Sequence, residues 1–212
     1  EDTPEHQEDF DMSRSMGMVA LTALAVLALG LTGCGGLGSV SPKLVELYDM
    51  AAPDGIIELE IARDGTMIEM EADVPVSTLP DVVREAAMKK APGARITGAE
   101  REFNARGAAW EVKLNHEGRD WEFVIDDEGV ILETEKELRR SEAPQTVLAA
   151  AKNAVPGGVF RSVEVITKHD GATEYHVKKM IAGVSYKVVL ATDGTVIRKV
   201  REQKAEIEIP LE

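Results

Sequence analysis

The sequence predicts an α+β fold in which a helix packs on an antiparallel β-meander, and this arrangement is expected twice in tandem. Three observations predict it. Proline, glycine and aromatic residues recur at a fixed spacing, apolar residues alternate with polar ones in several short segments, and each group of such segments follows an apolar helical stripe preceded by a proline. Whether the two meanders join edge to edge into one larger antiparallel sheet is left open at this point.

The repeat is visible at positions whose counterparts lie 64 or 65 residues later. The offset is 64 for the prolines (144 − 80) and 65 from Trp110 onward (175 − 110), so one residue is inserted between the two groups. A repeat of this period indicates a duplicated structural unit. The first set is Pro80, Pro92, Gly93, Trp110, Gly118, Trp121 and Gly129, and the second is Pro144, Pro156, Gly157, Tyr175, Gly183, Tyr186 and Gly194.

Each unit is expected to begin with a helix. In the first unit, Ser77 or Thr78 is the expected N-cap and Pro80 lies in the first turn, where a missing N–H is tolerated. In the second unit, Ser141 and Pro144 are expected to play the same parts. Each helix carries an apolar stripe suited to packing on a sheet. The stripes are Leu79, Val82, Val83 and Ala86 in the first unit, and Val147, Leu148, Ala151 and Val155 in the second.

Three or four strands follow each helix. Their period-two alternation predicts one apolar sheet face and one solvated face. Turns with Asp-Gly at Gly65 and Gly194 and with Asp-Glu-Gly at Gly129 predict hairpins, because glycine accepts the positive φ that such turns require. In the first unit the alternating positions are Trp110, Val112 and Leu114, then Trp121, Phe123 and Ile125, then 130–135. In the second unit they are Tyr175 and Val177, then Tyr186, Val188 and Leu190, then 195–200.

The chain divides into six expected segments. An acidic prefix, residues 1–11, is interpreted as lying upstream of the natural start at Met12 or Met16, and residues 12–33 as a lipoprotein signal peptide. The remaining segments are a lipidated cysteine with a flexible tether at 34–42, a helical turn with a hairpin at 43–73, and the two repeat units at 74–138 and 139–212. The hairpin at 43–73 is interpreted as part of a third, incomplete copy.

The amino-terminal region predicts export and lipid attachment. An uncharged apolar run leads into Leu-Thr-Gly-Cys, which resembles the bacterial lipoprotein box that is cut between Gly33 and Cys34. Cys34 is the only cysteine, so its expected use is as the acyl acceptor. The alternatives are an idle cysteine and an uncleaved membrane helix over 16–33. Gly35 after the cysteine resembles lipoproteins forwarded to an outer membrane, so the expected location is extracytoplasmic and membrane-anchored.

The charge balance excludes one class of partner. The chain has 38 acidic and 24 basic residues, a net charge of −14. Cleavage before Cys34 removes six acids and one base, which leaves 23 − 32 = −9. Such a chain lacks the basic surface that nucleic-acid binding requires. Membrane attachment is therefore expected through acyl groups on Cys34, and the other expected partner is an envelope protein or peptide.

The repeated segments resemble the PepSY-like family, which is also described as β-lactamase-inhibitor-like. The residues that carry the resemblance are APGARI and WEVKLNHEGRDWEFVIDDEGVILETE, with their echoes VPGGVF and YHVKKMIAGVSYKVVLATDGTVIRK. Together the two copies span roughly 74–201. The resemblance implies exported tandem helix-plus-sheet units with a binding or inhibitory role toward peptidases or other envelope proteins. It brings no catalytic residues.

No reactive constellation is found in the sequence, so the chain is not expected to be an enzyme. His116, His169 and His176 lack a second His or Cys at ligand spacing, so no zinc site is predicted, and no cofactor is expected. Ser162 and Ser185 lack the glycine frame of a nucleophile elbow. The acids Asp126, Asp127, Glu128, Glu133 and Glu135 are interpreted as a solvated turn rather than a calcium loop, so no metal is predicted.

Four aromatic residues are the candidate binding residues. As cross-strand pairs on the buried face they would stabilise each meander, and as an outward platform they would anchor a partner. They are Trp110, Trp121, Tyr175 and Tyr186. The second unit is the more basic one, which is interpreted as a solvated face, with an acidic partner as the alternative. The residues that carry this difference are Lys178, Lys179, Lys187, Arg198, Lys199 and Arg201.

These observations favour a lipid-anchored protein- or peptide-binding module that restrains an envelope enzyme. A structural or assembly lipoprotein of an envelope complex and a small-ligand carrier are the alternatives. The partner's identity is not encoded in any recognisable motif.

Overall fold

The structure is a computed structural model that describes residues 42–205. The expected signal peptide, Cys34 and its tether lie outside the described residues, so export and lipidation stay predictions. Within the described residues, no helix has the length and apolar character needed to cross a bilayer.

Ten strands form one antiparallel sheet in which every strand pairs with its neighbours in the sequence. The expected antiparallel meander is confirmed, and β6 pairs with β7 from Glu133 opposite Lys168 to Glu137 opposite Glu164. The two strand groups therefore join edge to edge. The strands are β1 (Ile57–Ile61), β2 (Met67–Asp73), β3 (Arg95–Asn104), β4 (Gly107–His116), β5 (Arg119–Asp126), β6 (Ile131–Glu137), β7 (Val159–Lys168), β8 (Thr173–Ile181), β9 (Val184–Ala191) and β10 (Val196–Arg201).

Three helices pack on one face of this sheet, each over its own apolar cluster. They are α1 (Pro42–Met50), α2 (Asp81–Lys90) and α3 (Gln145–Ala154). Leu47 of α1 packs with Phe103 of β3. The α2 cluster contains Val83, Val112 and Phe123, and the α3 cluster contains Val147, Val177 and Val188. The order of one helix and four strands thus occurs twice, from α2 to β6 and from α3 to β10. That the two groups arose by duplication stays a prediction.

The helix starts differ from the expected capping. Pro80 and Pro144 occupy the N-cap positions, and neither helix has a side-chain cap. Each proline carbonyl accepts the first helical hydrogen bond instead, from the N–H of Arg84 and of Leu148. Thr78 lies in a short 3-10 turn, where its hydroxyl donates to the carbonyl of Pro75. Its side chain is therefore engaged before the helix begins, and the predicted caps at Ser77, Thr78 and Ser141 are wrong.

The sheet curls away from its helices until its two edge regions meet. Glu60 on β1 lies 3.8 Å from the ammonium nitrogen of Lys187 on β9 and 3.3 Å from Nε of Arg198 on β10. In a flat sheet, ten strands spaced about 4.8 Å apart would separate these edges by roughly 43 Å. The sheet is therefore strongly curled, so that side chains from its two edge regions meet. We call the contacts of Glu60 with Lys187 and Arg198 the seam.

Candidate binding face

The face of the sheet that the helices leave uncovered carries most of its charge. Strand alternation places the glutamates of β1 to β8 on this side, opposite the apolar clusters. We call it the acidic face. Its glutamates are Glu58, Glu60, Glu69, Glu71, Glu100, Glu102, Glu111, Glu122, Glu133, Glu135, Glu137, Glu164 and Glu174.

The register sets glutamates directly opposite each other on neighbouring strands. Glu58 lies opposite Glu71, and Glu71 in turn lies opposite Glu102. Like charges at such positions destabilise a sheet when both are ionised. The same arrangement occurs between Glu60 and Glu69, Glu100 and Glu111, Glu122 and Glu135, and Glu137 and Glu164. The acidic face therefore holds more negative charge than its own geometry favours.

Curling of the sheet also removes these carboxylates from water. Glu102 is 3 % exposed and Glu111 is 9 % exposed, although both point away from the core. Charged side chains are almost never buried to this extent unless they are paired or neutralised. The acidic face is therefore an enclosed surface in which protonation or a cation must offset the charge.

Burial and mutual repulsion shift these groups toward their neutral forms. Burial raises the pKa of Glu71 to about 9, and neighbouring carboxylates, Glu100 first among them, add to the shift. Burial, together with a hydrogen bond to Glu69, raises the pKa of Glu102 to about 8. Burial and the charge of Glu122 raise the pKa of Glu135 to about 8. Several of these glutamates are therefore protonated at neutral pH.

The chain supplies some cations of its own to this face. The Lys113 ammonium donates to Glu100 and lies 3.9 Å from Glu111, and Lys178 lies 3.8 Å from Glu164. Burial alone would lower the pKa of Lys113, but the hydrogen bond to Glu100 raises it. These lysines neutralise only part of the acidic face, because the pKa of Glu111 is still raised well above its ordinary value by burial and by Glu122.

Two groups on the acidic face have donor atoms close enough to share a cation. They are Glu71, Glu100 and Glu111, and Glu135, Glu164 and His176, with ligand atoms within 4.8 Å of one another. Lys113 already forms an ion pair with Glu100 of the first group, and Lys178 forms one with Glu164 of the second. An ammonium group therefore already neutralises part of the charge of each group. The absence of a metal stays a prediction.

The four aromatic candidates lie on the opposite side of the sheet, under the helices. Trp110 is 6 % exposed and belongs to the α2 cluster, against which Trp121 also packs. Tyr175 and Tyr186 pack against the α3 cluster. Trp110 lies opposite Ile125, Trp121 opposite Leu114, Tyr175 opposite Leu190 and Tyr186 opposite Lys179. They are thus not direct cross-strand partners of one another, and neither role predicted for them is decided by this placement.

The acidic turn after β5 forms hydrogen bonds with residues of the sheet. Asp126 accepts hydrogen bonds from the backbone N–H groups of Glu128 and Val130, as expected of a solvated turn. Asp127 binds Arg101 through two hydrogen bonds of 2.7 and 3.1 Å and accepts the indole N–H of Trp110 at 2.8 Å. Asp127 therefore anchors the turn to a cation on the helix side.

Replacing Asp127 by alanine is expected to lower the free energy of unfolding by about 2 kcal/mol. The side chain of Arg101 is 8 % exposed, so it would keep a buried charge without its carboxylate, whereas the half-exposed Asp127 limits the loss. Urea unfolding measures the change. Glu128→Ala, one residue away in the exposed turn, is the control and should change stability by less than about 0.5 kcal/mol. Equal effects of the two substitutions would contradict the assignment.

The basic residues of the second unit lie on both sides of the sheet. Lys178, Lys187 and Arg198 lie on the acidic face, where they pair with Glu164 and Glu60. Lys179 points the other way and is buried under α3. In the turn after β7, Nδ1 of His169 donates to the Ile131 carbonyl at 3.0 Å. The excess of bases in this unit therefore serves partly to neutralise acids from the first strands.

The sequence pattern predicted that one face of the sheet is polar, but it did not predict that this face is shielded from water. The alternating glutamates of IELEI, MIEMEAD and ILETEKE were the available signal. β3 was also missed as a strand, although Glu100 and Glu102 belong to it. Whether a polar face is solvated or enclosed depends on how far the sheet curls, which no local pattern encodes.

Comparison with known proteins gives one family match. Residues 80–126, from the start of α2 to the end of β5, match the family described as peptidase propeptide and YPEB domain, PepSY. No curated protein matches the chain. A DUF2874 family protein from Bacteroides uniformis is similar at 18 % identity, with 58 % of this chain and 89 % of that chain covered and a TM-score of 0.48.

A BLIP-like protein from Bacteroides fragilis is similar at 20 % identity. The alignment covers 62 % of this chain and 93 % of that chain, with a TM-score of 0.46. The family match covers less than half of the chain. The comparisons therefore identify a PepSY-type segment at residues 80–126, within a larger curled sheet.

Proposed function

We propose that this protein is an extracytoplasmic binding module that receives a basic segment of another protein on its acidic face. The observation that carries the proposal is the surplus of enclosed glutamates on the sheet face that α1, α2 and α3 leave uncovered. The lipoprotein-like segment ending at Cys34 supports a membrane-tethered location outside the cytoplasm. The expected consequence of binding is restraint of an envelope enzyme rather than catalysis by this chain.

A lysine or arginine side chain is the ligand that best fits the face. It would form charge-assisted hydrogen bonds with carboxylates that the chain leaves only partly neutralised. Glu71 and Glu135, whose pKa values are raised to about 9 and about 8, would ionise as the cation arrives. Binding is therefore coupled to proton release, and the affinity should rise with pH.

The seam determines how a partner reaches these carboxylates. Glu60 is held by two cations from the far edge, Lys187 and Arg198. Cations on a partner segment could replace them, because they would form equivalent charge-assisted hydrogen bonds with the same carboxylate. A partner with several closely spaced basic residues would therefore be favoured over one with a single charge.

A role without catalysis is supported by the PepSY match. The description of that family names a peptidase propeptide, a segment that accompanies an enzyme rather than one that performs the reaction. In the described residues, the histidines bind a carboxylate, a carbonyl or an aromatic ring. His176 lies 3.2 Å from Glu174, and His116 packs edge-on against Trp121. None of these contacts involves a serine hydroxyl.

A short peptide of alternating lysine and glycine tests the proposal. It should bind more tightly than the corresponding glutamate peptide, about tenfold more tightly at pH 8.5 than at pH 6, and more weakly as salt is added. Isothermal titration calorimetry in two buffers of different ionisation enthalpy would also report the release of protons. A pH-independent affinity would contradict the model.

Matched variants locate the binding surface. Glu58→Gln with Glu137→Gln removes two exposed charges from the acidic face, and should weaken the peptide by about fivefold or more. Asp81→Asn with Glu85→Gln removes the same charge from exposed positions of α2 and should weaken it by less than about twofold. Equal losses from the two pairs would show attraction to net charge alone and would refute this site.

A further inference from the structure

A cleft beside α3 has the opposite charge to the acidic face. It has a volume of about 480 Å³ and is lined by Arg140, Ser141, Gln145, Leu148, Lys152 and Phe160. No acidic residue lines it, although acids outnumber bases by 38 to 24 in the chain. We call it the basic cleft.

Phe160 brings two cations together at the wall of the basic cleft. The guanidinium of Arg140 lies 4.5 Å from the centre of its ring, and the ammonium of Lys179 lies 5.1 Å from it. Cation–π contacts hold each charge in place without neutralising it. Lys152 is close enough for its charge to lower the pKa of Lys179, after the larger effect of burial. Three positive charges therefore converge on one side of α3.

None of the three has a carboxylate partner among residues 42–205. Lys179 is 1 % exposed, and its ammonium donates to the backbone carbonyl of Val155, at the end of α3. The nearest acid in the sequence, Glu142, is turned toward Arg119, with which it forms two hydrogen bonds of 2.8 Å. Repulsion among the three cations is thus left without compensation from within the described part of the chain.

The other residues that line the basic cleft are apolar or neutral polar. Leu148 and the ring of Phe160 supply an apolar wall, and Ser141 and Gln145 supply neutral hydrogen-bond donors. Binding sites for small molecules combine such apolar surface with a few polar groups that fix orientation. A ligand that fits must therefore carry an anionic group at one end and an apolar part at the other.

We propose that the basic cleft binds a phosphate monoester or a carboxylate attached to an apolar chain, through Arg140 and Lys152 with Lys179 behind Phe160. An anion there would receive charge-assisted hydrogen bonds from Arg140 and Lys152 and would relieve the repulsion among the three cations. Its apolar part would lie against Leu148 and Phe160. This site is separate from the acidic face, so it can fail while the proposed function stands.

Octyl phosphate below its micelle concentration is the probe, with inorganic phosphate and octyl glucoside as the charge-only and apolar-only controls. Chemical shift changes in ¹H–¹⁵N spectra would locate and quantify binding. We expect saturable shifts at the amides of α3 and the start of β7, with octyl phosphate at least about fivefold tighter than either control. Absence of saturation, or equal binding of any control, would overturn the proposal.

Two double variants distinguish the cleft from general attraction to positive charge. Arg140→Gln with Lys152→Gln should weaken octyl phosphate by about tenfold. Lys89→Gln with Lys90→Gln removes the same charge from exposed positions in the last turn of α2 and should leave the affinity within about twofold. All four positions are exposed, so neither variant should unfold the protein. Equal losses in both variants would also overturn the proposal.

Discussion

The free energy of unfolding is expected to fall as the pH rises from 5 to 9. The buried glutamates of the acidic face keep their protons in the folded state to a higher pH than in the unfolded chain. Glu71 has a folded pKa of about 9, and Glu102 and Glu135 have folded pKa values of about 8, against an ordinary value of 4.5. Between these limits the folded state binds more protons than the unfolded state, so stability declines with pH.

The expected size of this effect is large for a protein of this length. A pKa difference of one between the folded and unfolded states corresponds to about 1.4 kcal/mol, so a single such glutamate destabilises the folded state by on the order of 3 kcal/mol at pH 7. Glu71 lies opposite Glu102, and each of the three groups is also shifted by other carboxylates, so their effects do not add. Their stabilising, protonated state is fully present below pH 4.5 and is lost as the pH passes through 8 to 9.

A second group sets the acidic limit of stability. The hydrogen bond from His176 and the contact with Lys168 lower the pKa of Glu174 to about 2. Its contribution is present above its unfolded pKa of 4.5 and is lost as the pH falls toward 2. Maximum stability is therefore expected near pH 5, where Glu174 is ionised and the other glutamates are still protonated.

Urea unfolding from pH 4 to pH 9 would measure the profile, because urea leaves the ionic strength unchanged. Glu71→Gln should raise the free energy of unfolding at pH 8 by about 2 kcal/mol, since glutamine keeps the shape of the side chain without titrating. The decline of stability at alkaline pH should also become shallower. Glu85→Gln, on the exposed surface of α2, should leave the profile unchanged. A stability that rises toward pH 8 in the wild-type protein would contradict the enclosure of the acidic face.

Replacing Gly158 by alanine is expected to destabilise the protein by about 3 kcal/mol. Gly158 has a φ of +66°, and a β-carbon added there would lie 2.3 Å from the backbone oxygen of Met180 and 2.5 Å from Cγ1 of Ile181. The backbone of β8 is fixed by its pairing with β7 and β9, so it can move aside only by breaking those hydrogen bonds. The substitution should therefore displace the start of β7.

Gly157→Ala is the matched control. Gly157 also has a positive φ, of +77°, but a β-carbon there would meet no atom within 4 Å. Its cost is that of the backbone conformation alone, about 1 kcal/mol. Thermal or urea unfolding of the two variants separates steric contact from backbone strain. Equal destabilisation would show that β7 does not approach β8 as closely as described.

The helix-and-meander architecture could be predicted because it depends on local patterns. Pro80 and Pro144 precede helices, and the turn glycines Gly65, Gly129 and Gly194 have positive φ values, as the turn sequences predicted. The capping was mispredicted because Thr78 lies in a separate 3-10 turn and Pro80 takes the N-cap position, which only the folded geometry reveals.

The candidate site could not be predicted to the same extent. Glu60 and Arg198 are separated by most of the sheet in sequence, and only its curvature brings them together. The same alternation of glutamates would describe a solvated face in a flatter sheet. Likewise, the sequence places Lys179 among several bases of a solvated face, yet it lies buried beneath α3. The period-two alternation predicts on which side of the sheet a side chain lies, but not how far that side is shielded from water.

The meander topology has a consequence for how the chain reaches its native state. Each strand pairs only with the strands before and after it in the sequence, so the sheet can grow one strand at a time. Such local pairing gives a low contact order for a β-rich protein, which favours rapid folding. The contact of Glu60 with Arg198 joins the two ends of this series. This contact can form only after the intervening strands have assembled, so it is expected late in folding.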